Sequence, residues 1–187
     1  MNSADDHLGR AFSRAVPSAR FPGLEKSMAG AESWLKVHRQ AILADREIVA
    51  SLAELEARAN FLVGFMAELM MAGICKECGS NPRGGCCSPE MGSDCDSLLM
   101  VINQLAGYDV SLQRQDGIEC FFLGPNGCSL RFKPFFCLNY NCHRIKTILG
   151  DETLRELERH TGRLLSQQYL VEERLRNFRG RYEITIS

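Results

Sequence analysis

Cysteine is missing from both flanks of this chain: none of its nine cysteines precedes Cys75 or follows Cys142, in a length of 187 residues. Long apolar runs are missing too. The longest, Phe61 to Cys75, is interrupted by Glu68 and is shorter than the about 20 apolar residues a membrane helix needs. No membrane association is expected. An excess of one charge is also absent, with 22 Lys and Arg against 23 Asp and Glu and a formal net charge of -1. That balance removes the general attraction to nucleic acid or acidic lipid that a basic chain carries. The first 25 residues hold Asp5, Asp6, Arg10, Arg14 and Arg20 with no apolar stretch between them, so no secretory leader is legible. A cytoplasmic setting is expected, where thiols stay reduced. Neither a P-loop nor a G-x-G-x-x-G fingerprint occurs.

What is present begins with helical periodicity. Residues 1–29 are small, polar and punctuated by Pro17, Pro22, Gly23 and Gly30, which suggests a flexible tail. The rest, 30–187, reads as a single domain. From Ala31 to Cys75 there is no proline. Ile48, Leu52, Leu55, Ala59, Leu62, Met66 and Leu69 alternate spacings of four and three, and Trp34 and Ala41 extend the stripe upstream. This predicts one long helix or two stacked helices over 30–72, with Gly73 as a stop. A second seam, Leu154, Leu157, Thr161, Leu164, Gln168, Val171, Leu175 and Phe178, predicts a C-terminal helix over 150–179 starting at Gly150-Asp151. The seams could pair with another chain, as a protein partner or a homo-oligomer. Their shortness and the polar Thr161 and Gln168 favour packing within one chain. Tyr182 to Ile186 alternates and suggests a short strand. Between the helices, Asp94 to Leu105 reads as a short helix. Asp109–Gln113 and Ile118–Leu123 read as strands joined by Gln115-Asp116-Gly117, a hairpin signal. The expected fold is mainly α (α+β): long N- and C-terminal helices around a cysteine-rich, loop-dominated module over 73–146 with a small hairpin.

The cysteines carry the chemistry. One group is Cys75, Cys78, Cys86 and Cys87; the other is Cys120, Cys128, Cys137 and Cys142. A C-x2-C pair on a tight turn brings two sulfurs to one ion, and C-x4-C is also within ligand spacing. Adjacent Cys86 and Cys87 diverge, so the tidy division into two fours is open. Basic and acidic side chains are equal in number between Cys75 and Lys146, so buried thiolates would lack compensation without metal. Structural disulfides are disfavoured by the odd count and the vicinal pair. A redox-active C-x2-C normally stands at a helix start beside a sheet, and no βαβ pattern is present. Cys95, outside both groups, reads as an ordinary buried cysteine. All-cysteine sites suit zinc, iron or an iron–sulfur cluster; the absence of ferredoxin spacings tilts the choice toward zinc. His143 is a candidate extra ligand, though a surface histidine is the plainer reading. Asn139, Tyr140 and Asn141 could hydrogen-bond thiolates. Phe121, Phe122, Phe132, Phe135 and Phe136 suggest a small core around the metal rather than a base-stacking surface, so nucleic acid is not an expected partner.

The run Cys75-x2-Cys78…Cys86-Cys87, Cys120-Phe-Phe-Leu, Gly127-Cys128-Ser-Leu and Lys133-Pro134-x2-Cys137 resembles the bacterial CxxCxxCC (YkgJ-like) cysteine-cluster family, over about residues 73 to 146. That family is described as chelating zinc or iron. Here the loop between Cys78 and Cys86 is longer and Lys133 stands for the usual arginine. The resemblance implies metal chelation by the clustered cysteines. Two functions remain open: a noncatalytic zinc-stapled scaffold or metal carrier, and an iron–sulfur redox or methyl-transfer protein, since a similar domain occurs in flagellin lysine methylases.

Overall fold

Pro22 opens the first helix, where a fixed φ suits the helix and a missing N–H costs nothing. The computed structural model describes residues 22–79, 86–114, 118–124 and 127–184, with 76–79 and 182–184 described by backbone alone. Helix α1 spans Pro22–Ala44. It therefore starts ahead of the boundary expected at residue 30, because Leu24 is buried and extends the apolar face formed by Ala31, Leu35 and Ile42. The rest of the expected flexible tail, residues 1–21, lies outside the described residues.

Asp45 separates α1 from α2, Arg46–Glu68. Its Oδ1 accepts from the backbone N–H groups of Glu47 (3.0 Å) and Ile48 (3.2 Å), which satisfies two donors of the new helix. The 30–72 segment is thus two helices. The expected stop at Gly73 falls elsewhere. The chain turns at Leu69 and Met70, and Met70 itself takes a left-handed φ of 53°. Gly73 then lies inside α3, Met71–Gly79.

Short helices follow: α4, Pro89–Ser93, with proline at its start, and α5, Ser97–Leu105, capped by Asp96 through the Leu99 N–H at 2.8 Å. Leu99, Met100, Val101, Ile102, Asn103 and Leu105 are all buried, so α5 runs through the interior. It packs chiefly on α1 and also on α7. Gly30 of α1 sits where a Cβ would lie 3.3 Å from Ser97 Oγ, which permits this approach.

The hairpin is displaced from its expected position. Strands β1, Leu123–Gly124, and β2, Gly127–Cys128, pair antiparallel with Leu123 opposite Cys128. The segments expected as strands do meet: the N–H groups of Gln113 and Arg114 both donate to Phe121 O, at 2.7 and 3.1 Å. Two N–H groups converging on one carbonyl form no ladder. The expected turn, 115–117, lies outside the described residues.

Helix α6, Phe135–Asn139, leads into α7, His143–Ile184, interrupted at Gly150 by φ 70° and ψ 171°. The non-helical Gly150 marks the expected start, but a helical segment already precedes it. The strand expected over 182–186 is absent from 182–184, where α7 continues. Helices α2 and α7 form the largest helix pair. Arg181 meets Asp45 (3.2 Å), Gln167 donates to Ser51 O (3.1 Å), Arg58 donates to Arg163 O (2.9 Å), and His160 stacks on Phe61 and Phe65. Rising numbers on α2 meet falling numbers on α7, so the pair is antiparallel. The seams close on each other: Ile48, Leu52, Leu55, Ala59 and Leu62 are buried, as are Leu157, Thr161, Leu164, Gln168, Val171, Leu175 and Phe178. Each fully buried leucine contributes about 1.5–3 kcal/mol. Among the described residues no helix is long and apolar enough to cross a membrane.

Candidate metal centre

The cysteine-bearing segments are tied to one another by backbone hydrogen bonds. Cys120 N donates to Cys87 O at 2.8 Å, which joins the Cys86-Cys87 strand of chain to the turn before β1. That turn closes when Leu123 N donates to Cys120 O (3.0 Å), and Leu123 in turn pairs with Cys128. Gly92 of α4 packs against this turn: a Cβ there would lie 3.0 Å from Cys120 Sγ and 3.0 Å from the Phe121 ring. Cys95 follows on the α4–α5 link, its N–H donating to Gly92 O (3.3 Å). Cys137 sits on α6, its N–H bonded to Pro134 O (3.0 Å).

The helical frame fixes the stretch between Cys128 and Cys137. Asn103, wholly buried on α5, accepts from the N–H groups of Arg131 (2.9 Å) and Phe132 (3.0 Å). It also donates to Leu99 O and Phe132 O, each at 2.9 Å. The Arg131 guanidinium reaches Glu56 of α2 at 2.9 Å, touches Asn60, and lies over the Tyr108 ring. Tyr108 donates to the same carboxylate at 2.7 Å. Gln168 of α7 donates to Lys133 O at 3.3 Å. Phe122, Phe132 and Leu130 plug the segment into the core.

These contacts bring thiols from distant segments within electrostatic reach of one another. Cys87 feels Cys86, Cys120 and Cys128; Cys137 feels Cys128, Cys120 and Cys86; Cys95 feels Cys137, Cys120 and Cys128. The Cys87 S–H donates to Cys86, which holds the Cys86 thiol down at about 6 and pushes Cys87 up. Burial, reinforced by the neighbouring thiols, pushes Cys137 up to about 12 and raises Cys95 as well. Burial also raises Cys120 and Cys128, with Lys133 pulling the other way at Cys128. Desolvation and neighbouring thiols disfavour ionisation of Cys120, Cys128 and Cys137, although Cys128 and Cys137 remain exposed at the surface, and a soft cation reverses that by displacing the protons.

The expected ligands divide accordingly. Cys87 lies in electrostatic reach of Cys86, Cys120 and Cys128, and Cys137 of Cys86, Cys120 and Cys128; Cys120 is half-buried and the other four are exposed. Cys75 is exposed on α3, and Cys78 falls on the same helix with its side chain outside the described residues, so this C-x2-C pair is helical rather than on a tight turn. Cys142 is half-buried and packs against the hydrophobic core. Cys95, set aside in the sequence, is buried and lies in electrostatic reach of Cys137, Cys120 and Cys128; the seven residues between it and Cys87 form no ligand signature. Among the described residues, no three His, Cys, Asp or Glu side chains meet in coordinating geometry. His143 is exposed at the start of α7 with its ring near Thr147 Oγ1 (3.4 Å), and Asn141 faces Glu158 (3.4 Å). Phe121, Phe122 and Phe132 are buried as expected, but Phe135 and Phe136 are 62% and 41% exposed. α6 turns them outward while Phe132 enters the core. A cleft between the start of α2 and the end of α7 contains no cysteine; Arg174 and Arg181 there are engaged by Glu47 O and Asp45.

Comparison with family models, with curated proteins and with solved structures found no match to this chain.

Proposed function

We propose that this chain is a metal-binding protein whose clustered thiols chelate a thiophilic ion, zinc in the first place and iron otherwise, as in the CxxCxxCC family its sequence resembles. The observation that carries this reading is that Cys87 lies in electrostatic reach of Cys86, Cys120 and Cys128, and Cys137 of Cys86, Cys120 and Cys128, although these cysteines come from separated segments. Soft thiolates select zinc, copper(I) or iron–sulfur centres over hard cations. Such a group of thiols is unfavourable to ionise without a cation, and Lys133 offsets only part of that at Cys128 and Cys137. The fit lies in the chemistry of the donor set alone, since among the described residues no three of these side chains meet in coordinating geometry. A bound ion would supply cross-linking of these loops, and in a closed four-thiolate site no open position for a substrate. The role is therefore a noncatalytic scaffold or metal carrier in the cytoplasm.

Elemental analysis with an absorption spectrum on anaerobically purified full chain tests this. Zinc at one or more per chain without visible absorbance supports it. Iron with acid-labile sulfide would move the reading to a cluster protein with redox or methyl-transfer chemistry. Neither metal, in protein whose cysteines remain reduced, would sink it.

A further inference from the structure

Helix α2 has an outward side, turned away from the buried Ile48, Leu55 and Leu62, that no described element covers. Of the described elements, α7, α1 and α3 pack on α2. The opposite side is formed at helical spacing by Ala50, Ala53, Ala57, Phe61 and Gly64, all of them exposed. Phe61 leans on the His160 ring of α7, with centroids 4.5 Å apart, and still leaves 57% of its surface open. Val49 and Val63 stand exposed along the edge of this face. The outward side of α7 is different in kind: Glu156, Arg159, Arg163 and Arg176 are exposed there. An uncharged outer face on one helix of a bundle, beside a charged one on its neighbour, marks a contact surface.

Two further features of α2 are unfavourable within its own chain. Gly64 weakens a helix that alanine would strengthen, yet a Cβ at that position would meet nothing within 4 Å. Arg46 stands in the first turn and Glu68 in the last, each of the wrong sign for the helix dipole. Among the described residues neither makes an ion pair or a side-chain hydrogen bond. Both end the same outward stripe. From Arg46 to Glu68 its steps are four, three, four, four, three and four residues, a pattern that reads the same in both directions with Ala57 at its centre.

We infer that the outward face of α2 docks a second copy of this chain, as an antiparallel helix pair with its two-fold axis at Ala57. A two-fold contact uses the same patch on both copies, so the patch must complement itself. This one does. Arg46 meets Glu68 of the second copy at each end, and the two wrong-signed charges neutralise each other. Phe61 fills the space over Ala53, and Gly64 lies opposite Ala50, which lets the backbones approach. A parallel pairing would instead set Arg46 on Arg46 and Glu68 on Glu68. With 23 residues, α2 offers about 34 Å of contact. The pairing uses no cysteine and is independent of metal binding.

Sedimentation equilibrium of the full chain, kept reduced so that no disulfide links two copies, reads the pairing over about 1 to 100 μM. The wild type should show a monomer–dimer equilibrium with a dissociation constant of about micromolar. Ala57→Arg sets two like charges on the axis and should weaken it at least about a hundredfold. Arg46→Glu and Glu68→Arg should each weaken it at least about tenfold, and the variant carrying both should recover the wild-type constant. Each reversal suits the α2 dipole, so loss of pairing is not loss of the helix, and far-ultraviolet circular dichroism checks this. A wild type that stays monomeric throughout that range overturns the inference. So does a dimer that Ala57→Arg leaves unchanged. If Ala57→Arg fails to fold, the charge pair decides: single reversals without effect, or a double variant no tighter than the singles, overturn it. A chain that dimerises only after removal of residues 1–21 gives the face to that segment and overturns it as well.

Discussion

Asn103 is the polar residue on which most of the module's placement depends. Its side-chain amide has two donors and one acceptor oxygen with two lone pairs, and all are used: Leu99 O, Phe132 O, Arg131 N and Phe132 N. Truncation orphans buried backbone groups on both sides of Arg131-Phe132, each costing about 1–3 kcal/mol. Asn103→Ala should therefore lower unfolding stability by about 3 kcal/mol in denaturant titration; a loss under about 1 kcal/mol would show that the segment has other anchors. Nothing in the sequence gives Asn103 this role. It is one of two adjacent amides, with Gln104, in the apolar stretch Leu98 to Leu105, and its partner Phe132 lies 29 residues away. The same limit hid Cys95. Spacing along the chain relates cysteines only when they share a local turn, whereas Cys95, on the α4–α5 link, lies in electrostatic reach of Cys120, Cys128 and Cys137 from other segments.

At the scale of elements, the helices were legible because their signals are local and repeated. The spacing of four and three from Ile48 to Leu69 and the matching seam from Leu157 to Phe178 name the faces that α2 and α7 bury. Endings were less legible. Met70 takes the left-handed turn that Gly73 was expected to provide, and α7 carries past Tyr182 where alternation had suggested a strand. Short apolar alternation at a helix end does not outweigh continuation of an established helix. The hairpin shifted because Gln113 and Arg114 bond one carbonyl, Phe121 O, leaving the ladder to Leu123 and Cys128. The contact of α4 with that hairpin yields a prediction. Gly92→Ala introduces a methyl 3.0 Å from Cys120 Sγ and from the Phe121 ring. Overpacking of this kind costs about 1–3 kcal/mol. The variant should melt earlier and hold metal less tightly than wild type, with helical content unchanged. An unaltered melting temperature and metal affinity would mean that α4 can move away freely.

For the whole molecule, the account separates a helical frame from the thiol module it carries. The frame has its own core in α1, α2, α5 and α7, and it grips the module through Glu56, Asn103 and Gln168. Metal-free protein should consequently keep most of its helix. Its stability should depend on pH through the thiols. Cys137, Cys95, Cys120 and Cys128 have folded values above the ordinary 9.0, so the metal-free fold holds their protons more tightly than the unfolded chain does. That contribution is complete below 9.0 and is lost as pH rises toward the value of about 12 reached by Cys137. Cys86 has the opposite sign: held at about 6, it contributes fully above 9.0 and its contribution is lost as pH falls through 6. Chelator-treated protein should thus show its thiol-linked stability at its greatest near pH 9.0, read by thermal unfolding across the alkaline range. A melting temperature that keeps rising above that pH would contradict the raised values of these four thiols.

Competition with a chelator decides whether these cysteines bind a thiophilic ion. Reduced full-length protein would be titrated with zinc against a chromophoric chelator, under anaerobic conditions. At least one zinc per chain should bind at a dissociation constant of about nanomolar or tighter, weakening as pH falls because protons compete for the thiolates. Zinc taken up entirely by the chelator at every pH, with all thiols still reduced, would contradict it.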